Sequence, residues 1–363
     1  WTDSWAYYFG ASYAMNDANR FELYAIGAPQ RHGQNLYKQN MMAYDQEFAA
    51  ENYKSELEGL DSDEDGKSDW DEWNSQFTHD EIDDQGNVVL DDDGNLVRLD
   101  AGRTFNQNWS PINESYTGEQ YWYMYGDKTQ ARHAGDFLNE RENFFHKPLV
   151  NLNHYLTLND YMRLSSILYW SGGSGGGTGT YGKIPTMDAD GNLGDDDYKF
   201  YYGSGPWTRD WNTLIDYNSG SADTVYVDKS AIARSAGQSV GILRNSINRQ
   251  STIGAISKLN YDLSDALQLQ FGLDWRTAGI EHAREVRDLL GGDYYLETND
   301  ANSPDGRKAE LGDIIAYHNE TTVDWLGFFG QGAYSSGALS AYGMAGYSTI
   351  AYSYQDHFTI ANE

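Results

Sequence analysis

The chain of 363 residues contains no cysteine, which excludes disulfide bonds and thiolate metal sites. It has no apolar run of about 18 residues, so we predict no transmembrane helix. Basic residues are scarce, with 25 Lys and Arg against 55 Asp and Glu, and the formal net charge is −30 at pH 7. Because nucleic-acid phosphates would repel such a chain, we predict no nucleic-acid partner. The negative charge suits either cation binding or adaptation to saline surroundings.

Proline is also rare, at 6 residues, whereas the chain carries 29 Tyr, 11 Trp and 38 Gly. This composition favours many strands, in either a sugar-binding β protein or a barrel with aromatic belts. Strand pairs with tight turns are predicted around Asn16–Asn19, Asn159–Asp160, Leu263–Asp265 and Ser336–Gly337. Each arm has roughly ten residues, about the length that crosses a bilayer at a tilt.

The connections between these hairpins are long and acidic, and we predict loops over 30–147, 173–249 and 280–319. Short turns therefore alternate with long polar loops. A soluble sandwich has short connections at both ends as a rule. An outer-membrane barrel combines short turns on one side with long extracellular loops on the other. The asymmetry favours the barrel.

Alternation within the strands agrees with this interpretation. Between Ala266 and Arg276, one face carries Leu267, Leu269, Phe271, Leu273 and Trp275. A soluble strand packed on a core shows the same period of two, so periodicity alone leaves both alternatives open. Five aromatic residues are predicted near strand ends, as in an interfacial belt: Trp5, Tyr7, Trp170, Trp275 and Trp325.

We therefore predict an all-β fold, an antiparallel transmembrane β-barrel in which residues 1–363 form part of one barrel domain. The hairpins supply about eight strands, and loops of this size fit a larger barrel better than an eight-stranded one.

Three segments resemble a known family: GAPQRHGQ (27–34), YWSGGSGGGTGTYG (169–182) and GLDWRTAGIEHAREVRDLLGG (272–292). Together they resemble the barrel part of TonB-dependent outer-membrane receptors of the Bacteroidetes-like kind. The resemblance implies a barrel of about 22 strands with a plug, which imports a scarce nutrient with energy from the TonB complex. We find no plug sequence here, and we expect the chain to be a segment of a longer transporter.

The acidic loop, DSDEDGKSDWDE over 61–72, matches the calcium pattern D-x-D-x-D-G-x5-E. Calcium takes six to eight oxygen ligands, and a glycine at the sixth position allows the sharp turn. The predicted ligands are Asp61, Asp63, Asp65, the Lys67 carbonyl, Asp69 and Glu72. We expect a single loop that stiffens an external excursion, not a signalling EF-hand pair. The stretch WDEWNSQF (70–77) after it can form one or two helical turns. The alternative is a solvated acidic run.

Weaker acidic patterns follow at 83–100 and 188–197. Asp188, Asp190 and Asp195 have the chemistry to hold a cation, but plain turns are the preferred interpretation for both segments, and 83–100 is predicted to form a small hairpin. The stretch SGGSGGGTG (171–179) lacks the Gly-Lys-Ser/Thr ending of a phosphate loop, so we reject that function.

No enzyme signature is present. The eight histidines show no zinc spacing, no G-x-S-x-G elbow exists, and His32 is interpreted as a structural rim residue. Loop aromatics have the chemistry to stack on a sugar or peptide, although loop packing is preferred for each of them: Tyr121, Trp122, Tyr123, Tyr125, Trp207 and Trp211.

We predict a bacterial outer-membrane protein that takes up an external solute, which the sequence does not name. Its predicted partners are outer-membrane lipid, the TonB complex through a plug outside this sequence, and a surface lipoprotein lid. One alternative is a calcium-dependent extracellular binding module, such as a lectin or adhesin. Another is a structural barrel subunit of an envelope assembly.

Overall fold

The computed structural model describes residues 1–36, 40–62, 64–122, 129–187, 208–227 and 230–359. The fold is mostly β, and eight long strands form one antiparallel sheet in chain order, each paired with the next. They are β1 (Tyr7–Asn16), β2 (Asn19–Gly27), β3 (Leu149–Asn159), β4 (Met162–Gly182), β5 (Gly241–Ser264), β6 (Leu267–Asp288), β7 (Ile314–Ser336) and β8 (Leu339–Asp356).

The four predicted hairpins are confirmed: β1 pairs with β2, β3 with β4, β5 with β6, and β7 with β8. Two residues separate the strands in each pair, at 17–18, 160–161, 265–266 and 337–338. Because neighbouring strands are antiparallel, all four turns lie at one end of the sheet, which we call the turn end. The long connections leave from the opposite loop end.

The predicted arm length of about ten residues is wrong for the central strands. Strands β4 to β7 have 21, 24, 22 and 23 residues. The segments 173–249 and 280–319, predicted as loops, therefore include the upper ends of these strands. Strands β2 and β3 are interrupted near Pro29 and Pro148, where the backbone lacks an N–H donor. Short strands then continue the sheet at Gln30–Gly33 and Glu142–His146.

Among the described residues, four helices lie in the long connections: α1 (Met41–Tyr44), α2 (Gln46–Leu57), α3 (Asp69–Phe77) and α4 (Trp211–Ser219). Each helix begins after an N-cap residue whose side chain accepts a hydrogen bond from a backbone N–H of the first turn. These N-cap residues are Asn40, Asp45, Ser68 and Asp210. The remaining short strands are Thr2–Ser4, His79–Asp80, Arg98–Leu99, Trp109–Pro111, Gln120–Tyr121, Thr129–Gln130, Phe137–Asn139, Thr186–Met187, Thr208–Arg209, Thr224–Val227, Ser230–Ala233, Gln238–Ser239, Tyr294–Glu297 and Arg307–Ala309.

The buried core lies at the loop end, where the connections pack on the sheet. One cluster centres on Trp211, Leu214, Leu243 and Leu290, and a second joins Ile242 and Val286 to the loops. Helices α1 to α3 have a core of their own: Met42, Ala43, Ala49, Trp70 and Phe77. We call the part of the sheet next to the turn end the turn half, and the part next to the loop end the loop half. The apolar side chains of the turn half belong to none of these clusters.

In the turn half, the sheet has one apolar face and one polar face. Every second residue of β6 from Leu267 to Trp275 points to the apolar face. In register, this face continues with Leu259 of β5 and with Leu326 and Phe328 of β7. No other described part of the chain packs over it. Phe271, for example, is 48% exposed. In a folded protein in water, a contiguous apolar patch of this kind is normally covered or marks an interaction surface.

The opposite, polar face carries a hydrogen-bonded ladder that crosses four strands. The Tyr342 hydroxyl donates to Gln331 (2.9 Å), Gln331 Nε2 donates to Gln270 (3.0 Å), and Gln270 Nε2 donates to Asn260 (2.6 Å). Nearby, the charged side chains Arg163 and Asp262 form an ion pair. This face is built for contact with water.

The predicted position near strand ends is wrong for Trp170, Trp275 and Trp325, which lie in the middle of β4, β6 and β7, whereas Tyr7 is the first residue of β1. Trp170 and Trp275 lie on the apolar face, at its end towards the loops, as their register shows. Trp325 does not, because it lies on the polar face with the guanidinium of Arg276 5.0 Å from its ring. The period of two places Trp325 on the side opposite to Leu326, the next residue of β7, which pairs with Trp275.

Within the described residues, β1 and β8 do not pair with each other, and the sheet is open. Strand β8 is exposed on both faces along nearly its whole length.

We predict that Gly176→Ala destabilises the fold by about 1–3 kcal/mol, the typical cost of overpacking. An added Cβ would lie 2.3 Å from the backbone oxygen of Ser246 on β5, so the two strands would have to separate. Gly343→Ala on β8 is the matched control, since a Cβ there meets no atom within 4 Å. Urea unfolding followed by tryptophan fluorescence measures both, and equal midpoints would contradict the prediction.

Candidate functional site: a glycine-floored groove at the loop end

A groove of about 720 Å³ lies where the polar face meets the loop end. Strands β4, β5 and β6 form its floor, and the segment around Phe145 and Lys147 forms one wall. In register, Gly173 faces Gln250 and Gly175 faces Asn248, which continues the side of the sheet that carries the polar ladder. The groove is therefore an extension of the polar face.

The floor needs glycine because neighbouring atoms leave no room for side chains. A Cβ on Gly175 would lie 2.6 Å from the Phe144 carbonyl oxygen, and one on Gly173 would lie 2.7 Å from Gln250 Cγ. The stretch 171–179 lies inside β4, with no helix directly after it, so it does not form the strand–loop–helix of a phosphate loop. Its glycines instead form the open floor of the groove.

The walls combine a cation, amides and an aromatic ring. Lys147 Nζ lies 5.5 Å from the centroid of the Phe145 ring, and Asn248, Gln250 and His282 line the opposite side. Amide and imidazole groups both donate and accept hydrogen bonds. Phe145 offers a flat apolar surface for stacking. This mixture can hold a polar solute by hydrogen bonds and ring contact, without a charged partner on every side.

A buried charged cluster anchors the loops beside this groove. Arg31 donates twice to Glu142 Oε2, at 3.0 and 2.9 Å, and Arg287 donates to the same oxygen at 2.8 Å. The ring of Trp122 stacks against both guanidiniums, with centroid distances of 3.7 Å to Arg31 and 4.1 Å to Arg287. One carboxylate and one indole thus hold together residues from β6, two short strands and the first long connection.

Burial shapes the electrostatics of this cluster. Arg287 is 0% exposed, and desolvation lowers the pKa of its guanidinium to about 10. Burial also raises the pKa of the neighbouring Asp288 carboxyl, which accepts a hydrogen bond from the Tyr116 hydroxyl at 2.7 Å. Burial is the largest cause that raises the pKa of Tyr116 as well. Charges held this far from water are costly unless paired, so the cluster constrains how the loops pack.

Several aromatic residues predicted as ligand-stacking candidates are core residues instead. Trp122 is 1% exposed and Trp211 is 0% exposed, which confirms the preferred loop-packing interpretation. Tyr121 is half-buried near Gly312, and His32 is half-buried in the strand Gln30–Gly33. Tyr123, Tyr125 and Trp207 lie outside the described residues. Neither Tyr121, Trp122 nor Trp211, the three that the structure describes, lines the glycine groove.

The acidic loop lies between two helices. Helix α2 ends at Leu57 and α3 begins at Asp69. The expected helical turns after the loop are therefore present, and a helix that we did not predict precedes it. The strong N-cap at Ser68 and the local core of α1 to α3 explain the second helix. Asp63 lies outside the described residues.

Backbone N–H groups and a hydroxyl of the acidic loop donate hydrogen bonds to the carboxylates of Asp61, Asp65 and Asp69. Asp61 accepts from the backbone N–H groups of Asp65 (3.1 Å) and Gly66 (3.0 Å), and Gly66 has φ of 90°. The Lys67 N–H donates to Asp65 at 2.8 Å and lowers the pKa of that carboxyl. The Ser62 hydroxyl donates to Asp69 at 2.6 Å and lowers the pKa of Asp69. Glu72 lies in the first turn of α3. Local hydrogen bonds thus fix the conformation of these side chains.

The weaker acidic segments behave as turns where the structure describes them. Asp83 accepts from the Asn87 N–H, and Asp91 accepts in the same way from Asn95, both at 2.8 Å. Bridges at Ile82–Val88 and Leu90–Leu96 close these turns. Asp188, Asp190 and Asp195 lie outside the described residues.

A scan against models of known protein families finds no match, and a search of curated proteins also finds none. Among the described residues, none of the helices has the length and apolarity to cross a membrane.

We predict that Glu142→Gln destabilises the fold by about 3–5 kcal/mol, because Arg31 and Arg287 would stay buried without a compensating charge. The control is Glu58→Gln, which removes an exposed pair with Lys54 (3.3 Å) and should leave the unfolding midpoint unchanged. Thermal unfolding by circular dichroism compares the two variants. Equal stability of Glu142→Gln and wild type would refute the anchoring role of the charged cluster.

Proposed function

We propose that this chain is part of an outer-membrane β-barrel of the TonB-dependent receptor kind, which binds and admits an external solute. The observation that carries the proposal is the uncovered apolar face opposite a hydrogen-bonded polar face. Lipid on one side and water on the other would satisfy both faces. We propose binding and transport without a catalytic step.

The dimensions of the apolar face support this proposal. From Leu267 to Trp275, β6 rises about 26 Å at ~3.3 Å per residue. At a tilt of about 35–45°, this run is about 20 Å tall, close to the ~25 Å apolar band of outer-membrane barrels. Above Trp275 the same side of β6 continues with Thr277, Gly279 and Glu281, where apolar character ends.

The position of turns and loops supports the orientation. All four two-residue turns would face the periplasm, and the glycine groove and charged cluster would lie on the extracellular side. The open edges at β1 and β8 expose unpaired backbone groups, which lipid does not tolerate. We propose that further strands close the barrel, consistent with a receptor that has a plug and a TonB partner.

The glycine groove is the proposed solute site. It opens from the polar face, which would line the barrel interior, and it offers amides, an imidazole, a lysine and an aromatic ring. The long connections would form the vestibule above it, where a surface lipoprotein lid would dock.

For the acidic loop we propose calcium, with Asp61, Asp63, Asp65, the Lys67 carbonyl, Asp69 and Glu72 as ligands. The helix–loop–helix supports this assignment, because the second helix begins at Asp69, inside the motif, and carries Glu72 in its first turn. A helical unit with its own small core gains rigidity from an ion that joins both helices.

One observation favours a second candidate, a calcium-dependent extracellular binding module without transport. The sheet described here is open, and a partner protein or a second copy of the chain could cover its apolar face instead of lipid. The groove and the acidic loop would serve recognition equally well in that setting.

We predict that the native protein fractionates with outer membranes, needs detergent for extraction, and migrates differently on gels with and without boiling. Phe271→Arg places a charge in the middle of the apolar face and should cost about 2–4 kcal/mol of membrane stability. Gln268→Arg on the polar face of the same strand is the control and should insert normally. Gel mobility and protease protection in liposomes measure both.

A water-soluble protein of 40.9 kDa with unshifted mobility would overturn the lipid-facing assignment and favour the binding module. Equal membrane insertion of Phe271→Arg and Gln268→Arg would also overturn the lipid-facing assignment.

We predict that chelation of calcium exposes residues 55–80 to proteolysis, and that Glu72→Gln weakens calcium binding by about tenfold or more. Asp91→Asn, in the neighbouring turn closed by Asn95, is the control and should leave the affinity unchanged. Calorimetric titration with Ca²⁺ and limited proteolysis are the measurements. An unchanged digestion pattern after chelation would count against the calcium site, and this result does not depend on whether the barrel proposal is correct.

A further inference from the structure

A histidine cluster, His318, Glu320 and His357, lies at the loop end of the last two strands. His318 and Glu320 belong to β7, and His357 directly follows β8. The two imidazole rings stack with centroids 4.3 Å apart and planes 24° from parallel. One ligand atom from each of the three residues lies within 4.8 Å of the other two.

We propose that this histidine cluster binds a transition-metal ion of the zinc class. Two imidazole nitrogens and a carboxylate are a common donor set for three-ligand zinc sites. At metal–ligand distances of about 2.0–2.2 Å, tetrahedral ligand atoms lie about 3.4 Å apart. Small side-chain rotations, without backbone movement, would close the present separations to that value.

The orientation of the nitrogens supports a shared cation. His357 Nε2 lies 3.4 Å from Glu320 Oε2, and this buried atom has no hydrogen-bond partner within the described residues. His318 Nε2 lies 3.2 Å from Glu281 Oε1. After ring rotation, a divalent ion in the plane of each imidazole would bind both Nε2 atoms and the Glu320 carboxylate.

Glu281 is positioned to support the site from β6. Its second oxygen lies 3.4 Å from Arg249 Nη1, and Arg249 also binds Glu285 at 2.5 Å. Glu281 is therefore oriented by a charged neighbour. Because it contacts His318 Nε2, the nitrogen assigned to the ion, it can add a carboxylate oxygen to the coordination.

An ion here would fasten the edge strand. The His357 N–H donates to the His318 carbonyl at 2.9 Å, so the two ligands are backbone neighbours at the end of β8. Asn302 Nδ2 donates to the His357 carbonyl at 3.0 Å, which brings the connection after β6 to the same point. A metal would thus join β7, β8 and this connection where β8 has a neighbour on one side only.

The primary test is calorimetric titration of the metal-stripped, folded full-length chain with Zn²⁺, in excess Ca²⁺ so that the acidic loop is occupied. We expect one zinc ion per chain, and binding weakened at least about tenfold by His318→Ala, His357→Ala or Glu320→Gln. His154→Ala is the control histidine, since its ring stacks on Phe21 in the turn half.

A Co²⁺ absorption spectrum with the bands of tetrahedral nitrogen and oxygen ligands gives a second readout. His318→Asn is the milder variant if His318→Ala fails to fold, as judged by circular dichroism. Absence of zinc binding to wild type, or equal affinity in the His318 and His154 variants, would overturn the proposal. Neither outcome depends on membrane insertion or transport.

Discussion

The constraint on which the rest of this protein depends is that half of its sheet has a single layer. In the turn half, Phe271 and its neighbours present an apolar face that nothing in the described chain covers, while the ladder from Tyr342 to Asn260 occupies the other face. A sheet with such faces is stable only where an apolar medium or partner meets one side and water meets the other. The proposed membrane location follows from that requirement.

The loop half differs, because here the long connections pack on strand ends that lie beyond the apolar face. The charged cluster does this with few residues. Glu142 compensates Arg31 and Arg287 at once, and both guanidiniums stack on the ring of Trp122. Like charges so close and so deeply buried would otherwise repel strongly. This anchoring leaves the glycine floor of β4 open as a groove.

The two proposed ion sites belong to the same loop half and to different chemistries. The acidic loop offers hard oxygens within one local segment, whereas the histidine cluster offers nitrogen ligands from two strands. In a chain with a formal net charge of −30, bound cations would also relieve repulsion among the loops. Both sites would stiffen elements that have small cores or few neighbours, namely the helices α1 to α3 and the edge strand β8.

Local patterns in the sequence determined the hairpins, the alternation of β6 and the acidic loop, because turns, strand faces and this loop depend on neighbouring residues. Tertiary structure alone decided the rest. The full lengths of β4 to β7, the position of Trp325 on the polar face and the helix that precedes the acidic loop followed from register and packing. The charged cluster joins residues 31, 142 and 287, and the histidine cluster joins 318 and 357. No spacing signals such contacts, since they form only when distant strands align and burial makes each unpaired charge costly.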